Sequence, residues 1–148
     1  MPAQITGQDQ PLLVSTFLLR GAMCGVETHL VEEVVRLQQP TRVAHSPDYV
    51  LGVINLRGKI VTVIDLARKL NLGAVEPGSE NRLYIVQDRS ESVGLLVDRA
   101  ADVIELDERC LERPPGNVCG VEGRFFRCVG RAHGHVIAVL DTAEALSV

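Results

Sequence analysis

His133 and His135 flank Gly134, a spacing that can offer a metal two imidazole nitrogens on one hairpin and that equally makes a solvated turn, the reading adopted. Cys24, Cys110, Cys119 and Cys128 form no CxxC pair and match no common zinc spacing, so they are expected to be reduced structural thiols. Asp65 and Asp141 each stand just before a short helical run, LARKL and TAEAL. A carboxylate there accepts orphan N–H groups of the first turn, so capping rather than catalysis is expected of both. No P-loop, GxSxG, HExxH or dinucleotide-binding glycine pattern occurs, and no catalytic residue, metal or cofactor is assigned. Arg57, within Asn55-Leu56-Arg57-Gly58, is different in kind. A guanidinium presents its donors in a planar fork that fits carboxylates and carbonyls, so at the shoulder of a turn it is either a solvated side chain or a recognition group.

These residues are positioned by a repeat. Shifting the chain by 76 residues lays Tyr49 to Leu70 over Phe125 to Leu146. Val53 falls on Val129, Gly58 on Gly134, Val63 on Val139, Asp65 on Asp141, Ala67 on Ala143 and Leu70 on Leu146, with apolar residues kept between them. Each copy reads as strand, glycine turn, strand and a short helix. A fainter echo relates the preceding hairpins, Phe17 to Glu27 with a turn at Arg20 to Cys24, and Leu83 to Leu96 with a turn at Asp88 to Ser92. Two hairpins per half predict a mainly β chain of two small five-stranded barrel lobes in a pseudo-two-fold pair, with short helices. The expected division is a single domain over 1–148. Its lobes are near 14–80 and 81–146, the C-terminal end is open to swapping back, and 1–11 is a flexible N-terminus. Leu30, Val31, Val34 and Val35 fit a helical turn or an irregular strand entry, and the pattern leaves both open. In the second half, VIEL reads as a strand and Pro114-Pro115-Gly116 as a turn.

Composition narrows the function. The chain has 148 residues, a formal charge of −4, 46% hydrophobic residues, 3% aromatics and no Trp. That suits one compact unit with an aliphatic core, and it lacks the basic face and stacking aromatics of a nucleic-acid binder. No signal-peptide pattern and no apolar run of spanning length are seen, so a cytoplasmic protein is expected, reaching membranes only through partners.

From about Val14 to Leu146 the chain resembles the CheW-like family of chemotaxis adaptors. The likeness rests on GVINLRGKIVTVIDL from Gly52, GVETHLVEEVVR from Gly25, TRVAHSPDYV from Thr41, GLLVDRAADVIEL from Gly94 and the Pro114-Pro115 segment. The resemblance implies the double-barrel fold and a non-catalytic adaptor. Its implied partners are the regulatory domain of a CheA-type histidine kinase and the cytoplasmic tips of methyl-accepting chemoreceptors. It leaves open a specialised modulator of a non-flagellar pathway; a small-barrel nucleic-acid binder is the remaining alternative. Val31, Glu33, Leu56 and Arg57 are implied partner contacts, with Glu33 expected to pair with Arg57 beside a groove between lobes. Gly52, Asn55, Gly58 and Gly94 are expected to support that site, and Val53 and Val97 to line the groove or belong to the core. The chain departs from the family where the repeat has Cys128 in place of Gly52, and in the RAHG bend at Arg131 to Gly134.

Overall fold

The two copies of the repeat fold alike. In the computed structural model, which describes residues 11–146, β4 (Val50–Leu56), β5 (Lys59–Asp65) and α1 (Leu66–Lys69) form the first copy. The second is β11 (Phe126–Ala132), β12 (His135–Leu140) and α2 (Thr142–Leu146). Each hairpin turns on two residues of left-handed backbone, Arg57 and Gly58 (φ 52° and 84°) or His133 and Gly134 (φ 52° and 79°). Such a turn matches the twist of its strands, and glycine meets its second position without steric cost. Asp65 and Asp141 cap the helices as expected, accepting from the N–H of Arg68 at 3.2 Å and of Glu144 at 3.1 Å. Their own N–H groups donate to the carbonyls of Tyr49 and Phe125, which are again repeat equivalents. The flexible segment expected at 1–11 lies, Pro11 apart, outside the described residues.

The remaining strands are β1 (Leu12–Leu19), β2 (Ala22–Glu27), β3 (Val31–Arg36), β6 (Arg82–Asp88), β7 (Glu91–Val97) and β8 (Arg99–Leu106), with the short β9 (Asn117–Val118) and β10 (Val121–Glu122). The first hairpin turns at Arg20 and Gly21 alone, tighter than the expected turn reaching Cys24. The ambiguous stretch at residues 30–35 resolves into a 3-10 turn, Thr28–Leu30, followed by strand β3. Val31, Val34 and Val35 are β-branched and favour the extended form.

Two five-stranded sheets result, in the orders β11-β12-β2-β1-β8 and β3-β6-β7-β5-β4. Read from opposite ends the orders are equivalent, and each has one parallel pair at its centre, β12 with β2 and β5 with β7. The pseudo-two-fold arrangement therefore holds, but the sheets do not follow the expected division at 14–80 and 81–146. One lobe is continuous, residues 31–97. The other is split, its hairpin β1–β2 being joined by β8, β11 and β12 from the far end of the chain.

Neither ladder closes into a full barrel. The outer strands β4 and β11 instead take a loop residue as second partner, Thr41 opposite Val53 and Glu112 opposite Val129. Val53 and Val129 are repeat equivalents, so both lobes seal one edge in the same way and leave less edge open to chance pairing. In the split lobe Leu106 of β8 fills the remaining gap, lying so near Gly130 of β11 that an added Cβ would sit 2.9 Å from its Cδ1.

The main core runs through both lobes. It takes Phe17, Cys24 and Val26 from the split lobe together with Ile54, Val61, Leu83 and Leu95 from the continuous one. Tyr84, 1% exposed, stands edge-on to Phe17 at 5.0 Å, and its hydroxyl donates to the Thr16 carbonyl at 2.6 Å. Each fully buried aliphatic or aromatic side chain contributes about 1.5–3 kcal/mol, so this shared core holds the lobes in register.

Candidate functional site

The Arg57 bend is built by its neighbours. Asn55 Oδ1 accepts from the Gly58 N–H at 3.0 Å, a side-chain bond that fixes the turn from inside. Arg57 then reaches across the open side of the sheet to Glu33 on β3, its Nη1 donating to both carboxylate oxygens. The expected pair is formed. The Arg57 side chain is 71% exposed and that of Glu33 29%, so the guanidinium still offers donors outward. An ion pair this exposed contributes about 0–1 kcal/mol to stability; its larger effect is to orient the fork.

Gly52 underlies the same strand. Its φ of +140° is one that side-chain-bearing residues rarely adopt, and an added Cβ would stand 2.2 Å from the Thr41 carbonyl oxygen. The repeat equivalent Cys128 has no positive φ, which explains why that position accepts a side chain. Val31 and Leu56 are half-buried against the main core at either side of the pair. Val53 is partly exposed, whereas Val97 is fully buried and cannot line a groove. Gly94 lies inside the continuous lobe, within 3.3–3.4 Å of Ile85 and Val61 side chains were it given a Cβ, so it keeps the interior of that lobe clear rather than shaping the bend.

Three residues at the bend were not singled out from the sequence. Lys59 places Nζ 3.8 Å from Glu32 Oε2, and Ser92 Oγ lies 3.5 Å from Glu32 Oε1. The signal was a pair of consecutive acids, Glu32 and Glu33, facing two cations spaced by one residue, Arg57 and Lys59. Ile60, 63% exposed, and Val34, 41% exposed, add apolar surface on the same lobe. The overlay puts Val136, 43% exposed, in the place of Ile60.

A trough of about 810 Å³ lies elsewhere, among Leu37, Arg42, Val43, His45, Leu51 and Arg68, and none of Val31, Glu33, Leu56 and Arg57 lines it. Cys24 and Cys128 are buried free thiols and Cys119 is an exposed one. Burial pushes the Cys24 thiol up from 9.0 to about 12, with a smaller push from Cys119. No group of three or more His, Cys, Asp or Glu among the described residues could hold a metal ion. His133 and His135 stand in an exposed bend. No described helix is long and apolar enough to cross a membrane. The arrangement offers a preformed, hydrogen-bonding and apolar protein surface.

Comparison with known proteins agrees. Residues 14–148 match the family model described as CheW-like domain. The chain is 33% identical over 111 residues to chemotaxis protein CheW of Rhizobium meliloti (strain 1021), covering 75% of this chain and 72% of that protein. It is 39% identical over 102 residues to chemotaxis protein CheW of Bacillus subtilis (strain 168), covering 69% and 65%. The crystal structure of scaffolding protein TtCheW from Thermoanaerobacter tengcongensis superposes with a TM-score of 0.86 at 28% identity, covering 99% of this chain and 95% of that one.

Proposed function

The chain belongs to the CheW-like domain family of chemotaxis scaffolding proteins, and from that premise we propose that it is a non-catalytic adaptor linking a CheA-type histidine kinase to chemoreceptors. Its partners are the regulatory domain of the kinase and the cytoplasmic tips of methyl-accepting receptors. It works in the cytoplasm and meets the membrane only through those receptors. The observation that carries the reading is the Arg57–Glu33 pair, a planar fork held outward on a stiff hairpin in a molecule whose rigid parts are otherwise sheets. Val31, Glu33, Leu56 and Arg57 are the contacts, and Gly52, Asn55 and Gly58 keep the bend in shape.

The test is a pull-down with purified kinase regulatory domain and receptor cytoplasmic fragment, followed by a phosphorylation assay. Micromolar binding is about −8.2 kcal/mol, and loss of one hot-spot side chain at about 2 kcal/mol weakens it roughly thirtyfold. Arg57→Glu and Glu33→Arg are each expected to abolish coupling while the protein stays folded, and the double swap to restore much of it. Binding to both partners with altered phosphorylation supports the adaptor. Binding to neither, or wild-type coupling by both single variants, overturns it.

A further inference from the structure

The bend that carries Arg57 is also held on its β5 side, at Lys59. The register of β3 against β6 slips by one between Val31, opposite Val86, and Glu33, opposite Ile85. The extra residue at the slip is Glu32, and a bulge of this kind re-aims side chains on the bulged strand. Two consecutive acids thereby reach one hairpin, Glu33 at Arg57 and Glu32 at Lys59. The second oxygen of Glu32 meets the hydroxyl of Ser92, a residue 6% exposed at the start of β7 and paired with Val61 of β5. One carboxylate therefore ties β3, β7 and β5 together where the outer strands β3 and β4 share no ladder. The overlay puts His133 and His135 where the continuous lobe has Arg57 and Lys59, so the same pair of permanent cations is not repeated in the split lobe.

We infer that Glu32 is a positioning residue for the Arg57 bend: through Lys59 and Ser92 it sets the angle at which the β4–β5 hairpin presents Arg57, without meeting the partner itself. The inference rests on the bend being a docking element. It also gives the Lys59 ammonium a role, as the handle by which β3 holds the strand pair Leu56–Lys59 that closes the bend.

The experiment measures the affinity of the full chain for the receptor cytoplasmic fragment by titration calorimetry, with thermal melts as folding controls. Glu32→Gln and Lys59→Glu are each expected to weaken binding about two- to fivefold, the scale of a partly exposed ion pair. The Glu32→Lys, Lys59→Glu double variant should return to within about twofold of wild type. The decisive readout is non-additivity. Once Arg57 is Ala, Glu32→Gln should cost nothing further, because there is no fork left to aim. An equal loss in both backgrounds would make Glu32 merely structural and overturn the inference. So would Glu32→Gln binding as wild type while Arg57→Ala weakens. If Arg57→Ala itself binds as wild type, the docking role of the bend fails, and this inference fails with it.

Discussion

Substitution of Gly52 by Ala separates a shape-setting glycine from an incidental one. The new methyl would stand 2.2 Å from the Thr41 oxygen and 2.7 Å from its carbonyl carbon, both backbone atoms that cannot swing aside as a side chain could. Relief requires moving the Thr41 segment, which breaks the two 2.8 Å bonds exchanged with Val53. Each is worth about 1 kcal/mol net, and forcing a side-chain-bearing residue to hold this φ costs about 1–3, so the expected loss is about 3–5 kcal/mol. With a urea slope of about 2 kcal/mol per molar, the unfolding midpoint should fall by about 1.5–2.5 M. The chain has no Trp, so far-UV circular dichroism is the suitable probe. Cys128→Ala, at the repeat-equivalent position with ordinary backbone, is the internal control and should lose only about 1 kcal/mol. A loss under about 1 kcal/mol for Gly52→Ala, or equal losses at the two positions, would refute the close-approach argument.

Asp65→Ala should destabilise by about 2–4 kcal/mol against about 1 for Asp141→Ala, because Asp65 also accepts from the buried Val75 N–H whereas Asp141 accepts from the Glu144 N–H at its cap; paired urea titrations measure the difference. Tyr84→Phe removes the hydroxyl bonded to the Thr16 carbonyl between the lobes, at an expected cost of about 1–2 kcal/mol, or a drop of about 2–8 °C in thermal midpoint. Native alkylation at pH 8, mapped by peptide mass spectrometry, should label Cys119 well before Cys24, whose thiolate fraction with a pKa of about 12 is only about 10⁻⁴. The same shift gives an alkaline signature. The unfolded chain releases the Cys24 proton above about 9 while the folded chain keeps it, so that contribution is intact below pH 9 and is lost as pH rises towards 12.

Local features were legible in the sequence because they are written in neighbouring residues. The hairpins follow from β-branched runs interrupted by Gly58 and Gly134, the caps from Asp65 and Asp141, and the Arg57–Glu33 pair from the resemblance. The allocation of hairpins to lobes was not. A self-overlay relates two copies without saying which neighbour each one joins, and the deciding contact is the parallel pairing of β12 with β2, more than a hundred residues apart. The bulge at Glu32 was hidden for a different reason. A one-residue slip changes which face a side chain takes, and alternation read over six residues, VEEVVR, does not resolve it. Val97 and Gly94 carry the same lesson. Apolar and small residues look alike whether they line an opening or fill an interior, and only tertiary burial distinguishes the two.

The split lobe also bears on how the nascent chain matures. Glu27 and His135 are 108 positions apart, so the hairpin made first waits for its parallel partner until nearly all of the domain has been translated, roughly 5–20 s at ordinary elongation rates. The continuous lobe is complete by Val97 and can condense while the ribosome is still working. During that interval the outer edge of β2 stays open to pairing with other chains. Slower translation beyond residue 97 therefore lengthens the period of aggregation risk without altering the finished protein.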